Sequence, residues 1–288
     1  MLMRRLYRRM INSLGVEGIE IPATYIKFYK HDRSIPEQVS AFFTDEESVM
    51  CCQAARYAPL EQPVLLTIDN IGCVAAAISL GLVDQEKDTP LRGPRTYTNL
   101  MGAQTGSERK FDPPSPKDFT TGIVYACRSA GRKEFCFFGT EDSGRFRDVA
   151  TARAAVSQMM AIQPPVMKGV FFYSNSFEEF DLTPDIVLLS VRPVELTKII
   201  QGYQYITGKP VNAVMNALRV VDSDLIARPY LTQEINVSSY CLGARMVARF
   251  QGDRLGMGIP FNRFELIVKG MEESKSGYPF HKYPGARP

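Results

Sequence analysis

Apolar positions at helical spacing open the chain. Met3, Leu6, Tyr7, Met10, Ile11 and Leu14 recur every three or four residues, with Arg4, Arg5, Arg8 and Arg9 mostly on the other flank. This predicts an amphipathic helix that Gly15 stops. Its basic flank suits a surface-binding helix or a transit peptide; the reading adopted is a docked helix, because arginines near a terminus are readily solvated. From Ala23 to Tyr29 a strand follows, with Tyr25 and Phe28 suited to half-buried sheet positions. A polar, proline-containing loop then leads to a helix over about Asp45 to Tyr57, with Thr44 and Glu47 as a capping box. Pro63 to Ile68 reads as a short strand. The small-residue run Gly72 to Leu80 reads as a tightly packed helix that Gly81 ends.

From about Val83 to Thr121 prolines and scattered charges mark a long excursion. It leads into a hairpin, Gly122–Arg128 and Lys133–Phe138, around Ser129-Ala130-Gly131-Arg132. Alternation then resumes with a helix over about Gly144 to Met160 and strands over Val166–Tyr173 and Asp185–Val191. A helix after Pro193 runs through Leu196, Ile199, Ile200 and Tyr203 to Gly208. Val211–Leu218, Val237–Cys241 and Arg245–Phe250 are read as further strands. The last helix is placed from Asn262, with Glu265 as its capping partner and Phe264, Ile267, Val268 and Met271 facing inward. Residues 278–288 form an extended tail. The expectation is one domain over 1–288, α/β or α+β, with a mixed sheet, flanking helices and an insertion over 86–139 carrying the hairpin. A faint echo, Leu66-Thr67 before Cys73 and Leu231-Thr232 before Cys241, suggests two similar halves.

Composition narrows the class of protein more than its task. An apolar fraction of 45% and a charged fraction of 23% over 288 residues are those of an ordinary globular chain. A net charge of +3 gives no long-range argument for a nucleic-acid or membrane partner. Six cysteines without a CxxC pair are too few for a disulfide scaffold, so free thiols in a reducing cytoplasm are expected.

Familiar chemical signatures fail one after another. Gly202 to Lys209 has one residue too many for a phosphate loop, and Pro210 stands where Ser or Thr is needed. Gly256-Met257-Gly258 lacks the third glycine of a dinucleotide fingerprint and reads as a tight strand exit. With only His31 and His281, histidine metal sites and a serine triad have no support.

The thiols are what remain. A cysteine acts as nucleophile or soft-metal ligand as the thiolate, which a cation or helix N-terminus favours. Cys73 stands at a predicted helix start, Cys52 one turn before Arg56, and Cys241 four residues before Arg245. Against this, free cysteine is among the most buried residue types, and Ala75–Ala77 are core-like surroundings. Cys127 and Cys136 are diagonal neighbours on the predicted hairpin and are read as ordinary sheet residues before a two-thiol clip. Arg228, Arg245 and Arg249 group around the Cys241 segment and Arg192 follows a strand, where guanidinium forks can take a carboxylate or phosphate.

Several segments together resemble the cysteine-containing ArCR family of archaea and anaerobic bacteria, known as domain of unknown function 169. They are Cys52-Gln53-Ala54, Gly72-Cys73 closing with Ala77-Ile78-Ser79-Leu80-Gly81-Leu82, and Tyr203 with Thr207-Gly208-Lys209-Pro210-Val211. Arg228-Pro229-Tyr230-Leu231-Thr232, Cys241-Leu242-Gly243-Ala244-Arg245 and Gly256-Met257-Gly258-Ile259-Pro260-Phe261 complete the set. The resemblance puts Cys52, Cys73 and Cys241 at family-like cysteine positions and implies little chemistry. The chain departs from the family pattern after Cys73, where Val74-Ala75-Ala76 stands in place of Pro-Gly-Gly.

The leading expectation is a cytoplasmic binding protein in which Cys52, Cys73 and Cys241 hold a metal centre. An iron–sulfur cluster is the natural choice for thiolates. The alternative ligand is a small anion held by Arg56, Arg228 and Arg245. Its partners would be a small-molecule ligand or cofactor, and a second copy or another protein, with no nucleic acid and no membrane. Two other classes stand beside it: an enzyme with a cysteine nucleophile or redox thiol, and a structural or assembly subunit using the basic helix and the inserted loop.

Overall fold

The computed structural model describes residues 2–14, 22–43, 48–60, 62–83, 151, 154–155, 157–162, 167–174 and 182–274. The excursion beyond residue 83, the hairpin with Cys127 and Cys136, and the 278–288 tail lie outside these residues. So does most of the helix read over 144–160; residues 157–160 at its end are turn and coil.

Six strands form one open sheet in the order β2-β3-β1-β4-β6-β5. They are β1 (Ala23–Lys30), β2 (Val64–Leu66), β3 (Met167–Tyr173), β4 (Ile186–Val191), β5 (Asn236–Ser239) and β6 (Leu255–Pro260). Every ladder is antiparallel, so the α/β architecture holds while the sheet is not a mixed one. At the two outer strands the ladders are short, and a loop carbonyl already accepts from each: Leu65 N–H donates to Phe42 O at 3.1 Å, and Val237 N–H to Asn212 O at 3.1 Å.

Both faces of the sheet are covered, because both sets of alternating strand side chains are apolar. Ile26, Phe28, Val170, Phe172, Ile186 and Leu188 point to a first face. Tyr25, Phe171, Tyr173, Val187, Leu189, Met257 and Ile259 point to the second. On the second face lie α1 (Leu2–Leu14), α5 (Pro193–Thr207) and α8 (Phe261–Glu273). The predicted stripe of α1 is the one that packs: Met3, Leu6, Met10 and Leu14 are buried. At about 1.5–3 kcal/mol for each fully buried side chain, this outweighs the exposed Arg9–Glu272 pair at 2.7 Å. Where α5 crosses α8, Gly202 and Gly270 let the two backbones meet; a Cβ on Gly270 would strike the Gly202 carbonyl. Phe264, Ile267, Val268 and Met271 of α8 face inward as expected, although the helix starts at Phe261 after Pro260 and not at Asn262.

The first face carries α3 (Cys51–Tyr57), α4 (Val74–Ser79), α6 (Arg228–Thr232) and α7 (Leu242–Ala248), while α2 (Glu37–Ser40) follows β1. Between α5 and α6 runs a π-helix, Val220–Ala227, whose eight residues are all buried. It approaches β6 backbone to backbone. A Cβ on Gly258 would collide with the Leu225 carbonyl and one on Gly256 with the Leu225 side chain, so glycine at both positions makes the contact possible. Gly256-Met257-Gly258 is thus the middle of a central strand rather than a strand exit.

Three further readings need correction. The helix expected from Asp45 starts at Cys51, because Ser48–Met50 are extended and the Gln53 side chain caps the Met50 N–H at 3.0 Å. Val211–Leu218 is not a strand; only Asn212 bridges Asn236. Residues 245–250 are not a strand either: Arg245 lies within α7, where Ala244 and Ala248, one turn apart, are buried.

Candidate functional site

Backbone pairing brings two of the three singled-out cysteines together. Val49 and Ile71 form a parallel bridge, with Val49 N–H donating to Asn70 O at 2.8 Å and Gly72 N–H to Val49 O at 2.9 Å. Because the bridge is parallel, both chains leave it in the same direction. Cys51 and Cys52 follow on one side and Cys73 on the other, each at a helix start. Gly72 permits this approach, since a Cβ there would sit 3.2 Å from Ser48 Cβ. Asn70 fixes the turn before it, accepting from Thr67 N–H at 2.8 Å and donating to Leu65 O at 2.8 Å. Thr24 anchors α3 to the sheet through Ala55 O at 2.6 Å.

Cys241 arrives from the other half of the chain. It is the N-cap of α7, and α7 packs on α3. Cys52 is the common neighbour, close enough to feel the charge of both Cys73 and Cys241. Cys51 is a further, buried cysteine of this region, and it feels the charge of Cys52 and Cys73. Among the described residues, no three of His, Cys, Asp and Glu are arranged to hold a metal ion.

The electrostatics run opposite to the sequence expectation. Burial pushes the Cys51, Cys52 and Cys73 thiols up, Cys73 to about 12, and the Asp222 carboxylate pushes the same way. For Cys73 the N–H dipoles of Ala76 and Ala75 and the Arg219 guanidinium pull down, less strongly. These three thiols are thus held protonated at neutral pH, which removes the activation a nucleophile requires. Arg56 does not offset this at Cys52, although it lies one helical turn away.

Asp222 belongs to a buried knot on the π-helix that sequence reading missed. Its Oδ2 accepts from Ser79 Oγ at 2.6 Å and from Arg219 Nε at 3.3 Å. Arg219 Nη2 also donates to Ser79 Oγ and to Ala75 O, the latter at 3.2 Å. Arg219 takes the left-handed backbone conformation, φ 56°, uncommon for a residue with a side chain. Ser223 Oγ accepts from Met160 N–H at 2.8 Å. Asp224 faces the other way, accepting from Asn216 N–H at 2.9 Å, Asn216 Nδ2 at 2.6 Å and Ser238 Oγ at 3.0 Å. A readable signal existed: three polar residues inside the otherwise apolar Val220–Ala227 run demand buried partners.

The predicted arginines separate. Arg245 Nε donates to Tyr240 O at 3.0 Å and its Nη1 to Gln251 O at 2.8 Å. Arg56 and Arg245 both act on the Tyr240 hydroxyl, which is stacked ring-on-ring with Phe250 at 3.9 Å. Arg228 turns to Gln158 O at 3.0 Å. The structure thus brings Arg56 and Arg245 to one place and engages Arg228 elsewhere.

No helix among the described residues is long and apolar enough to cross a membrane. No curated protein matches the chain, and no solved structure does. The model of domain of unknown function 169, described as uncharacterised ArCR, matches residues 24–270. That span runs from β1 into α8 and takes in all four clustered thiols and the π-helix, and the chain belongs to this family.

Proposed function

We propose that the protein binds a thiophilic ligand, a soft metal ion or a metal-containing cofactor such as an iron–sulfur cluster, through Cys52, Cys73 and Cys241. The single observation that carries this reading is the packing of three helices that each start with a cysteine, α3 and α4 against the π-helix and α7 against α3. A π-helix is rare and recurs at functional sites. Cys52 and Cys73 held protonated by burial, in an unset arrangement, make a latent site. Binding would draw the sulfurs together and release their protons, so affinity rises with pH.

The nucleophile reading has less support, because Asp222 and burial oppose thiolate formation at Cys51, Cys52 and Cys73. The test is purification without oxygen, with metal content and absorption spectrum measured together, followed by Cd²⁺ titration of the apo form. The expected result is a saturable thiolate-to-metal band, accompanied by proton release and lost in both Cys73→Ser and Cys241→Ser. A metal-free protein whose Cd²⁺ response is unchanged in those variants overturns the reading.

A further inference from the structure

One turn along α3 from Cys52, a guanidinium is short of a partner. Arg56 Nη1 is buried and makes no hydrogen bond to the protein among the described residues. A buried donor left unmade costs about 1–3 kcal/mol, more when charged, so such an atom calls for an acceptor from outside the chain. Arg245 and Arg254 share its surroundings, because α7, which carries Arg245, packs on α3, and all three guanidiniums act on the Tyr240 hydroxyl. Arg245 and Arg254 meet at Gln251: Arg245 Nη1 donates to its carbonyl at 2.8 Å and Arg254 Nε to its Oε1 at 2.6 Å. Arg254 Nη1 donates further to Ser190 O at 2.6 Å.

One carboxylate serves this group. Glu195 lies 3.7 Å from Arg254 Nη1, but it is held by Arg192, whose N–H reaches it at 2.7 Å and whose Nε reaches it at 3.2 Å. Among the described residues neither Arg56 nor Arg245 has a carboxylate in ion-pair range. Buried Tyr240 is a neighbour of both, with its ring on Phe250 and its hydroxyl beside the Ser190 side chain.

We infer that Arg56, Arg245 and Arg254 around Tyr240 form a binding site for a small oxyanion, the carboxylate or phosphate group of a small molecule. The unpaired Nη1 of Arg56 supplies the buried donor, Arg245 and Arg254 are held in place by backbone carbonyls, and Tyr240 offers a hydroxyl. Burial pushes that hydroxyl up to about 12, so it keeps its proton and can donate to the anion. Guanidinium forks favour planar or tetrahedral oxyanions over chloride, because two N–H groups fit two oxygens. The site stands on its own geometry and needs no metal at the thiols.

The experiment uses the full chain, titrated with sodium phosphate and separately with sodium succinate, against sodium chloride at matched ionic strength, followed by calorimetry and thermal unfolding. One of the two oxyanions is expected to bind saturably and to raise Tm by about 3 °C at ten times its Kd. Which one binds distinguishes a phosphate ligand from a carboxylate. Arg56→Gln is expected to weaken that binding at least tenfold, while Arg9→Gln, on the second face, leaves it unchanged. Should Arg56→Gln fail to fold, Arg56→Lys keeps the charge without the fork and is expected to lose about tenfold. Responses no larger than those to chloride overturn the inference, as does wild-type affinity in Arg56→Gln and Arg56→Lys.

Discussion

The two ends of the sheet invite comparison. At one end edge strand β2 is followed by α4, and β3 comes only after residues 84–166; at the other, edge strand β5 is followed by α7 and then directly by β6. Both linking helices lie on the same face and both are N-capped by a cysteine, Cys73 and Cys241. The difference lies in what fills the space above the inner strand. Over β3 it is side chains, Val170 and Phe172. Over β6 it is the π-helix backbone itself, seated on Gly256 and Gly258. From that seat the π-helix reaches across to the other end and ties itself to α4 through Asp222, Arg219 and Ser79. Similar frames thus carry unlike loads: a packed core under Cys73 and a buried polar knot beside it, against an arginine-rich exit after Cys241.

Breaking the knot should have the largest effect. Asp222→Ala removes the carboxylate that faces the buried Arg219 charge and is expected to cost about 4 kcal/mol in urea unfolding. Asp224→Ala removes an acceptor served only by neutral donors, and about 2 kcal/mol is expected. Equal losses would mean that the link between the two ends is no more important than the local one. Next, Gly258→Ala forces a methyl into the Leu225 backbone and should cost about 3 kcal/mol, against about 2 for Val170→Ala, which only opens a cavity. The reverse order would show that the close seat over β6 is not a constraint.

The pH dependence sharpens the contrast at smaller scale. Cys73 has an ordinary value of 9.0 when unfolded and about 12 when folded. Between those values the unfolded chain has lost a proton that the folded chain keeps. Stability present below pH 9 should therefore fall as pH rises through this window, by at most about 1.4 kcal/mol per pH unit for this thiol. Cys73→Ala should flatten that slope in unfolding measured from pH 8 to 10. The smallest effect is kinetic: iodoacetamide should alkylate Cys73 several-fold more slowly than an unhindered thiol at pH 7.5. Asp222→Asn should speed this reaction; an unchanged rate would remove Asp222 from the account.

Where a side-chain pattern has a period, the sequence could be read. β1, β3, β4, α1, α5 and α8 present one or two apolar faces, and their spans agree with the reading to within a few residues. Elements without a period were missed. The π-helix is buried on all sides, so no face stands out. Over Arg245–Phe250, read as a strand, the small buried pair Ala244 and Ala248 of α7 gives only a weak helical signal. The capping box read at Thr44 and Glu47 lies outside the described residues, and the cap at the start of α3 is Gln53 folding back onto Met50. The echo read between the halves does not extend to the elements before the cysteines, since Leu66 ends β2 while Leu231-Thr232 end α6. The thiols could be picked from sequence by type. Their proximity could not, because it depends on a bridge between Val49 and Ile71 and on the packing of α7 against α3.

The ends of the sheet bear on how the chain behaves at high concentration. A free, long, flat edge strand is a template on which another chain can extend the ladder. Here the outer strands are three and four residues long, and each already has a loop of its own chain hydrogen-bonded along the outside. Fibre-like growth by strand addition is thereby discouraged at both margins, with no charged gatekeeper residue needed in either strand.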